Sequence, residues 1–233
     1  MDQLAVGIVL YVVFLFSVTF HEAGHAWAAL KGGDPTAYAG GQVSLDPRPH
    51  VRREPFGTVL VPLIGIAMSG FPIGWASTPY DPGWAYAFPR RAAWMALAGP
   101  AANLLLLVLA AIGLRAGIEG GMFEAPRSLA YHTIAETAGS AMGRSFAIFL
   151  SLLFVENLLL LIFNLIPLPP MDGSAALALF VPREINRRYK DFMSNPAMPL
   201  IGLAIAWLLF DRIFEPVYLA AVNLLYSGIA QYG

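Results

Sequence analysis

Apolar residues fall into five long runs. The first extends from Leu4 to Leu30 and is apolar apart from Ser17, Thr19 and the cluster His21, Glu22, His25. Crossing about 30 Å of hydrocarbon takes roughly 20 apolar residues, so this run predicts a membrane-spanning helix. It lacks a basic flank and continues far past the length of a signal-peptide core. The second run, Gly57 to Ser77, carries Pro62, Gly65, Gly70, Pro72 and Gly74, which argues against one straight helix. The third and fourth, from about Ala92 to Leu114 and from about Ser145 to Leu168, read as spans, the latter stopped by Pro167, Pro169 and Pro170. The fifth, Ala197 to Tyr226, is interrupted by the charged hexapeptide Asp211 to Pro216. It predicts either one span plus an interfacial helix or two imperfect spans. No repeat or linker divides the chain, so residues 1–233 are expected to form a single integral-membrane domain.

Composition sharpens this picture. Of 233 residues, 58% are hydrophobic and only 12% charged, with a mean hydropathy of +0.63. Soluble domains carry about 25% charged residues, so a soluble enzyme is disfavoured and a lipid bilayer is the expected surrounding. The net charge of −1 comes with no run of Lys or Arg, which leaves no footprint for nucleic acid. Cysteine is absent, so any metal must rest on His, Asp or Glu.

Basic residues also test topology. If Gly57–Ser77 crosses the membrane, the two sides hold seven and six Lys or Arg in their loops. If it dips in and returns, loops 31–91 and 172–197 share one side and the count becomes ten against three. The bias favours a re-entrant segment, a first helix parallel to the fourth, and the ten-charge side as cytoplasmic. The expected fold is therefore an all-α polytopic membrane protein, a bundle of about 4–6 transmembrane helices with a re-entrant segment.

The strongest chemical signal is His21-Glu22-Ala23-Gly24-His25. Residues four apart share a helix face, so two imidazoles can hold one Zn²⁺, while Glu22, turned aside, can reach a water without ligating the metal. The competing structural account is a His pair bonded to neighbouring helices. Against it, three ionisable groups in five residues of a span are expensive and usually functional. Catalytic zinc usually has a third protein ligand. Of the remaining histidines, His50 and His132 fall in polar connections. Asp172 is the better candidate, because the prolines of Pro167-Leu168-Pro169-Pro170 unwind the backbone before it. Asp172 also reads as a helix N-cap, which does not exclude ligation.

An HExxH on an N-terminal membrane helix, followed by Asn164-x-x-Pro167-x-x-Pro170-x-Asp172-Gly173, resembles the site-2 proteases, zinc metalloproteases that cut substrates within the membrane. Gly33–Thr36, Pro55–Thr58, Gly74–Ala76 and Ala98–Asn103 extend the resemblance over about residues 5 to 185. It implies His21, His25 and Asp172 as zinc ligands, Glu22 as the catalytic glutamate and Asn164 as a group acting on the substrate carbonyl, a role an amide N–H suits as negative charge develops. It also implies membrane-protein substrates whose transmembrane helix unwinds locally. No PDZ or CBS segment is found, so a minimal form of a prokaryotic plasma membrane is expected, its site nearer the cytoplasmic side. Glu156 lies outside the resembling pattern. Asn103 and Asn157 read as bonding between helices.

A second reading makes His21, His25 and Asp172 the transit site of a metal transporter or channel, since transporters also place ionisable groups at broken helices. The carboxylate next to the first ligand and the lack of related halves speak against it. Finally, Gly41–Leu45 and Gly74–Thr78 are short segments bounded by Gly or Pro. At least one is expected to form an edge strand beside the zinc site, offering backbone partners to an unwound substrate.

Overall fold

The computed structural model describes residues 3–130, 133–137 and 139–233, which leaves His132 outside the described residues. The first apolar run forms α1 (Gln3–Gly32), 30 residues long. Short helices α2 (Thr36–Ala39) and α3 (Pro47–Arg53) follow it. A π-helical turn (Phe56–Leu60) then leads into α4 (Val61–Ser69) and, after an irregular stretch, α5 (Pro82–Ala87). The two long central helices are α6 (Pro89–Glu119) and α7 (Ala141–Leu165). Beyond the prolines lie α8 (Asp172–Ala176), a 3₁₀ turn (Leu177–Leu179), α9 (Arg183–Met193) and α10 (Met198–Leu225).

Among the described residues three helices, α1, α6 and α7, are long and apolar enough to cross a membrane, and α9 and α10 reach that length and hydropathy as a pair bent by 96°. Their outer faces are apolar and bare: Ile8, Ile112 and Leu208 are 57%, 59% and 76% exposed. Such a distribution suits lipid rather than water, and the chain is an integral membrane protein.

Polar contacts between helices give their directions. Ser17 and His21 of α1 meet Asn103 of α6, whereas His25, further along α1, meets Met95, earlier in α6. These two helices are antiparallel. Leu10 and Phe14 of α1 share a cavity with Leu152 and Glu156 of α7, and His21 lies at Asp172 just after α7, so α1 and α7 run parallel, as the charge count requires. α10 returns beside α7, packing against Pro169 at Gly202 and sending the Tyr226 hydroxyl to the Ile134 carbonyl at its other end.

The second run dips in and comes back. Five residues of π-helix and nine of α-helix rise only about 21 Å, short of a span. Gly70, at φ 74°, turns the chain, and residues 71–81 return without regular secondary structure. The returning limb lies so close that a Cβ on Gly57 would stand 2.2 Å from the Trp75 carbonyl oxygen, and one on Gly74 would stand 2.4 Å from that of Gly57. The Trp75 N–H donates to Gly57 at 3.0 Å.

Two expectations need correction. Neither Gly41–Leu45 nor Gly74–Thr78 is a strand: among the described residues only isolated bridges, Glu124–Glu136 and Ala130–Thr133, have β pairing. Residues 41–45 are turn and bend. Residues 74–78 have no regular secondary structure, and their neighbour is the π-helical turn, which offers one carbonyl rather than a ladder. The fifth run is neither two spans nor a broken one. Asp211, Arg212 and Glu215 are all exposed, so they do not disrupt packing, and Pro216 sits inside the continuous α10. The crosswise helix is instead α9, strongly charged and preceding the span.

Asp34 ties the end of α1 to the loop before α5. Its carboxylate accepts from the Thr36 N–H and hydroxyl and from the Asp81 N–H at 2.8 Å. Burial pushes this carboxyl up, but the three donors outweigh burial and hold it below the ordinary carboxylate value.

Candidate active site

His21 and His25 stand one turn apart on the buried face of α1, each 6% exposed. Their Nε2 atoms are 2.9 Å apart, and Asp172 Oδ2 lies 3.2 Å from the first and 3.3 Å from the second. The backbone brings Asp172 there because α7 ends at Leu165 and the proline-rich segment, with its cis Pro169–Pro170 peptide, carries the chain back under α1. Gly173 lets α8 start against α7, since a Cβ there would meet the Leu165 carbonyl oxygen at 2.3 Å. Asp172 opens α8 without capping it, for the N-cap is Met171 and makes no side-chain cap bond.

Hydrogen bonds set the histidine tautomers. His25 Nδ1 lies 2.8 Å from the Met95 carbonyl, which can only accept, so Nδ1 carries a proton and, in the neutral imidazole, Nε2 has a lone pair. For His21 the reasoning passes through two amides. The Leu153 carbonyl accepts from Asn157 Nδ2, and Asn157 Nδ2 also donates to Ser17 Oγ. Asn157 Oδ1 therefore accepts from Asn103 Nδ2 at 2.8 Å, leaving Asn103 Oδ1 to accept from His21 Nδ1 at 2.6 Å. Both Nε2 lone pairs and a carboxylate oxygen thus converge. That oxygen is buried without a hydrogen bond of its own.

Three electron-rich atoms at such separations repel one another unless a cation lies between them. Tetrahedral zinc bonds of about 2.0–2.2 Å place donor atoms about 3.3 Å apart, close to the distances found. Space for an ion exists because residue 99 of α6 is glycine: a Cβ there would be 2.4 Å from His25 Nε2 and 2.6 Å from His21 Nε2. Pro100 has no N–H to give the Ala96 carbonyl, one residue beyond the Met95 carbonyl that serves His25.

Glu22 is 5% exposed, and its carboxylate lies within 4.8 Å of the ligand atoms of both histidines. The Thr78 hydroxyl, on the returning limb, sits 2.7 Å from Oε2 and can donate to it. Asn164 lies in the last turn of α7, with one amide N–H on the Leu160 carbonyl and the other uncommitted. His50 is buried in α3 rather than lying in a loop, its Nε2 3.1 Å from the Ser44 carbonyl. Asn103 and Asn157 do bridge helices, as expected, but they also orient His21. Gly99 and Thr78 lie in segments with a sequence signal, Ala98–Asn103 and Gly74–Thr78, but nothing in sequence marks either residue as a neighbour of the histidines or of Glu22.

A family model, Peptidase family M50, matches residues 9–209. The chain belongs to peptidase family M50. A relative from Bacillus subtilis (strain 168), YwhC, is 34% identical over 77% of this chain and 72% of its own length. Rip2 of Mycolicibacterium smegmatis is 28% identical over 91% of this chain and 73% of its own length, and Rip2 of Mycobacterium tuberculosis (strain H37Rv) is 29% identical over 88% and 70%. All three are named, provisionally, as zinc metalloproteases. No solved structure gives a significant match. Membership of the M50 peptidases favours proteolysis over metal transit.

Proposed function

We propose that this M50 peptidase is a zinc-dependent intramembrane endopeptidase that cuts transmembrane segments of membrane proteins. The convergence of His21, His25 and Asp172 beside Glu22, on helices that face lipid, is the observation that carries the reading. His21, His25 and Asp172 would hold the metal through Nε2, Nε2 and Oδ2. Bound there, zinc supplies Lewis acidity, polarising a carbonyl and bringing a water's pKa towards about 7. Glu22, held by Thr78, takes the proton from the attacking water and returns it to the leaving amine. Asn164 donates its uncommitted N–H to the carbonyl oxygen as charge builds on it. The bundle excludes bulk water, and the substrate must unwind locally, since a helical peptide bond is hydrogen-bonded and shielded.

Metal analysis of the purified protein, combined with cleavage of a model transmembrane substrate, tests this reading. One zinc per chain and cleavage lost on chelation are expected; cleavage that survives complete removal of metal would overturn it.

The charge count supports a cytoplasmic position for loops 31–91 and 172–197, and with them the metal centre. A reporter fused near residue 126 should therefore be exported. Its retention in the cytoplasm would reverse the orientation and leave the chemistry untouched.

The Asn157–Asn103–His21 relay makes a further prediction. Partners that orient a metal-bound histidine typically contribute 10–100-fold to metal affinity. Asn103→Leu should weaken zinc binding by about that factor, whereas Asn103→Asp, which keeps an acceptor for His21 Nδ1–H but loses the N–H given to Asn157 Oδ1, should restore only part of it. Zinc titration against a competing chelator reads both, and equal affinity in all three proteins would remove the relay from the site.

A further inference from the structure

Glu156 takes no part in the metal centre. It is 2% exposed in the middle of α7, and its Oε2 has no hydrogen-bond partner. A carboxylate held this way in a membrane protein is expensive, and such groups are found paired or lining a functional path. Glu156 lines a cavity of about 410 Å³ enclosed by α1, the returning limb of the hairpin, α7 and α10. That volume lies at the lower end of ligand-sized pockets, about 300–1,000 Å³, and suits one long side chain rather than a helix.

The lining has a definite chemistry. Phe14, Phe163, Trp207 and Phe210 supply aromatic walls, and Asp211 from α10 adds a second carboxylate. Among the described residues no Lys, Arg or His lines it. Two acids and several ring faces without a basic residue complement a cation on an apolar stem, because rings attract cations by their quadrupoles and carboxylates by charge. The position is also informative. Phe14 precedes His21 by seven residues and Glu156 precedes Asn164 by eight, which puts the cavity about 10–12 Å from the metal centre along the helices, towards the membrane interior.

We propose that this cavity is a specificity pocket for a lysine or arginine in the substrate's transmembrane segment, about two helical turns deeper in the membrane than the bond that is cut. The proposal rests on the proteolytic reading above and adds a rule of substrate choice. Glu156 and Asp211 pair with the incoming cation, the aromatic rings flank its stem, and the paired basic residue fixes which bond of the unwound segment lies at Glu22.

The test is a lysine scan. A single transmembrane segment is made with lysine at successive positions and with leucine throughout. Each version is presented in vesicles to the wild-type protein, to Glu156→Gln, to Asp211→Asn, and to Glu22→Gln as a non-cleaving trap read by crosslinking. Cleavage should peak when lysine lies three or four residues on the interior side of the cut bond, the number that spans the separation at about 3.3 Å per residue in an unwound segment, by about tenfold over leucine. The peak should vanish in Glu156→Gln and shrink in Asp211→Asn, whose site is exposed and tolerant if the Glu156 variant does not fold. A flat scan with cleavage intact, as when the cavity merely conducts water, overturns the pocket alone, as does a peak that survives Glu156→Gln. No cleavage of any segment overturns the proteolytic reading; a crosslinking peak in Glu22→Gln would then still establish the pocket, and its absence would overturn both.

Discussion

Glu22→Gln should lower the rate of substrate cleavage by about 10²–10⁴-fold, the usual contribution of a positioned general base, while zinc remains at one per chain. Glutamine keeps the size of glutamate and an oxygen able to accept the Thr78 hydroxyl, which lies 2.7 Å from Oε2 in the wild type. The hairpin should therefore stay docked. What disappears is the capacity to take a proton from water. Initial rates on a transmembrane substrate, with metal content measured on the same preparation, separate the two effects. A variant that cleaves at the wild-type rate would remove Glu22 from the chemistry, and one that loses zinc would make it a ligand instead.

Gly99→Ala should be as damaging by a different route. The added methyl would sit 2.4 Å from His25 Nε2, 2.5 Å from His25 Cε1 and 2.6 Å from His21 Nε2, in the space between the rings that an ion needs. Imidazoles are the free ends of side chains and can swing away, so α6 should still pack and the protein should still fold. Displaced rings no longer converge with Asp172. The expected result is a folded protein whose zinc content drops from one per chain to near zero, with cleavage lost in step. Stoichiometric zinc in Gly99→Ala would show that the ion does not occupy the cleft between the two histidines.

The legible part of this protein is what local spacing encodes. Four-residue periodicity puts His21 and His25 on one face whatever surrounds them, and a proline-rich stop before Asp172 frees an acid beyond a helix end. Glycines and prolines between Gly57 and Ser77 exclude a straight span, and the distribution of basic residues decides that the segment returns. Where the reading fell short, the deciding fact is a long-range contact. Asn103 touches His21 across 82 residues and Asn157 across 54, and nothing near either asparagine announces the partner. Gly99 looks like any small residue in an apolar helix until two imidazoles are found against it. The composition of residues 74–78 is that of a strand, but pairing depends on a neighbour, and the neighbour is helical. In α10 the charged hexapeptide suggests a break because sequence alone does not tell an outward-facing charge from a buried one.

The stretch of α6 from Met95 to Asn103 has a mechanical consequence. Met95 holds one histidine, Asn103 the other, Gly99 leaves the gap between them, and the Ala98 carbonyl would stand only 2.7 Å from a Cβ at Gly24. Sliding α6 by one residue, or rotating it by a fraction of a turn, breaks all four relations at once. Helices α1 and α6 must therefore travel as one rigid body, with α7 keyed to them through Asn157 and Ser17. Whatever displacement admits a guest from the bilayer falls to the parts outside that block. These are the hairpin, tied to α1 by the Thr78 hydroxyl at Glu22 and by the Tyr11 hydroxyl at the Thr58 carbonyl, and the first half of α10, which precedes Phe214, Tyr218, Val222 and Leu225 in the main core. The molecule is divided into a stator and two shutters.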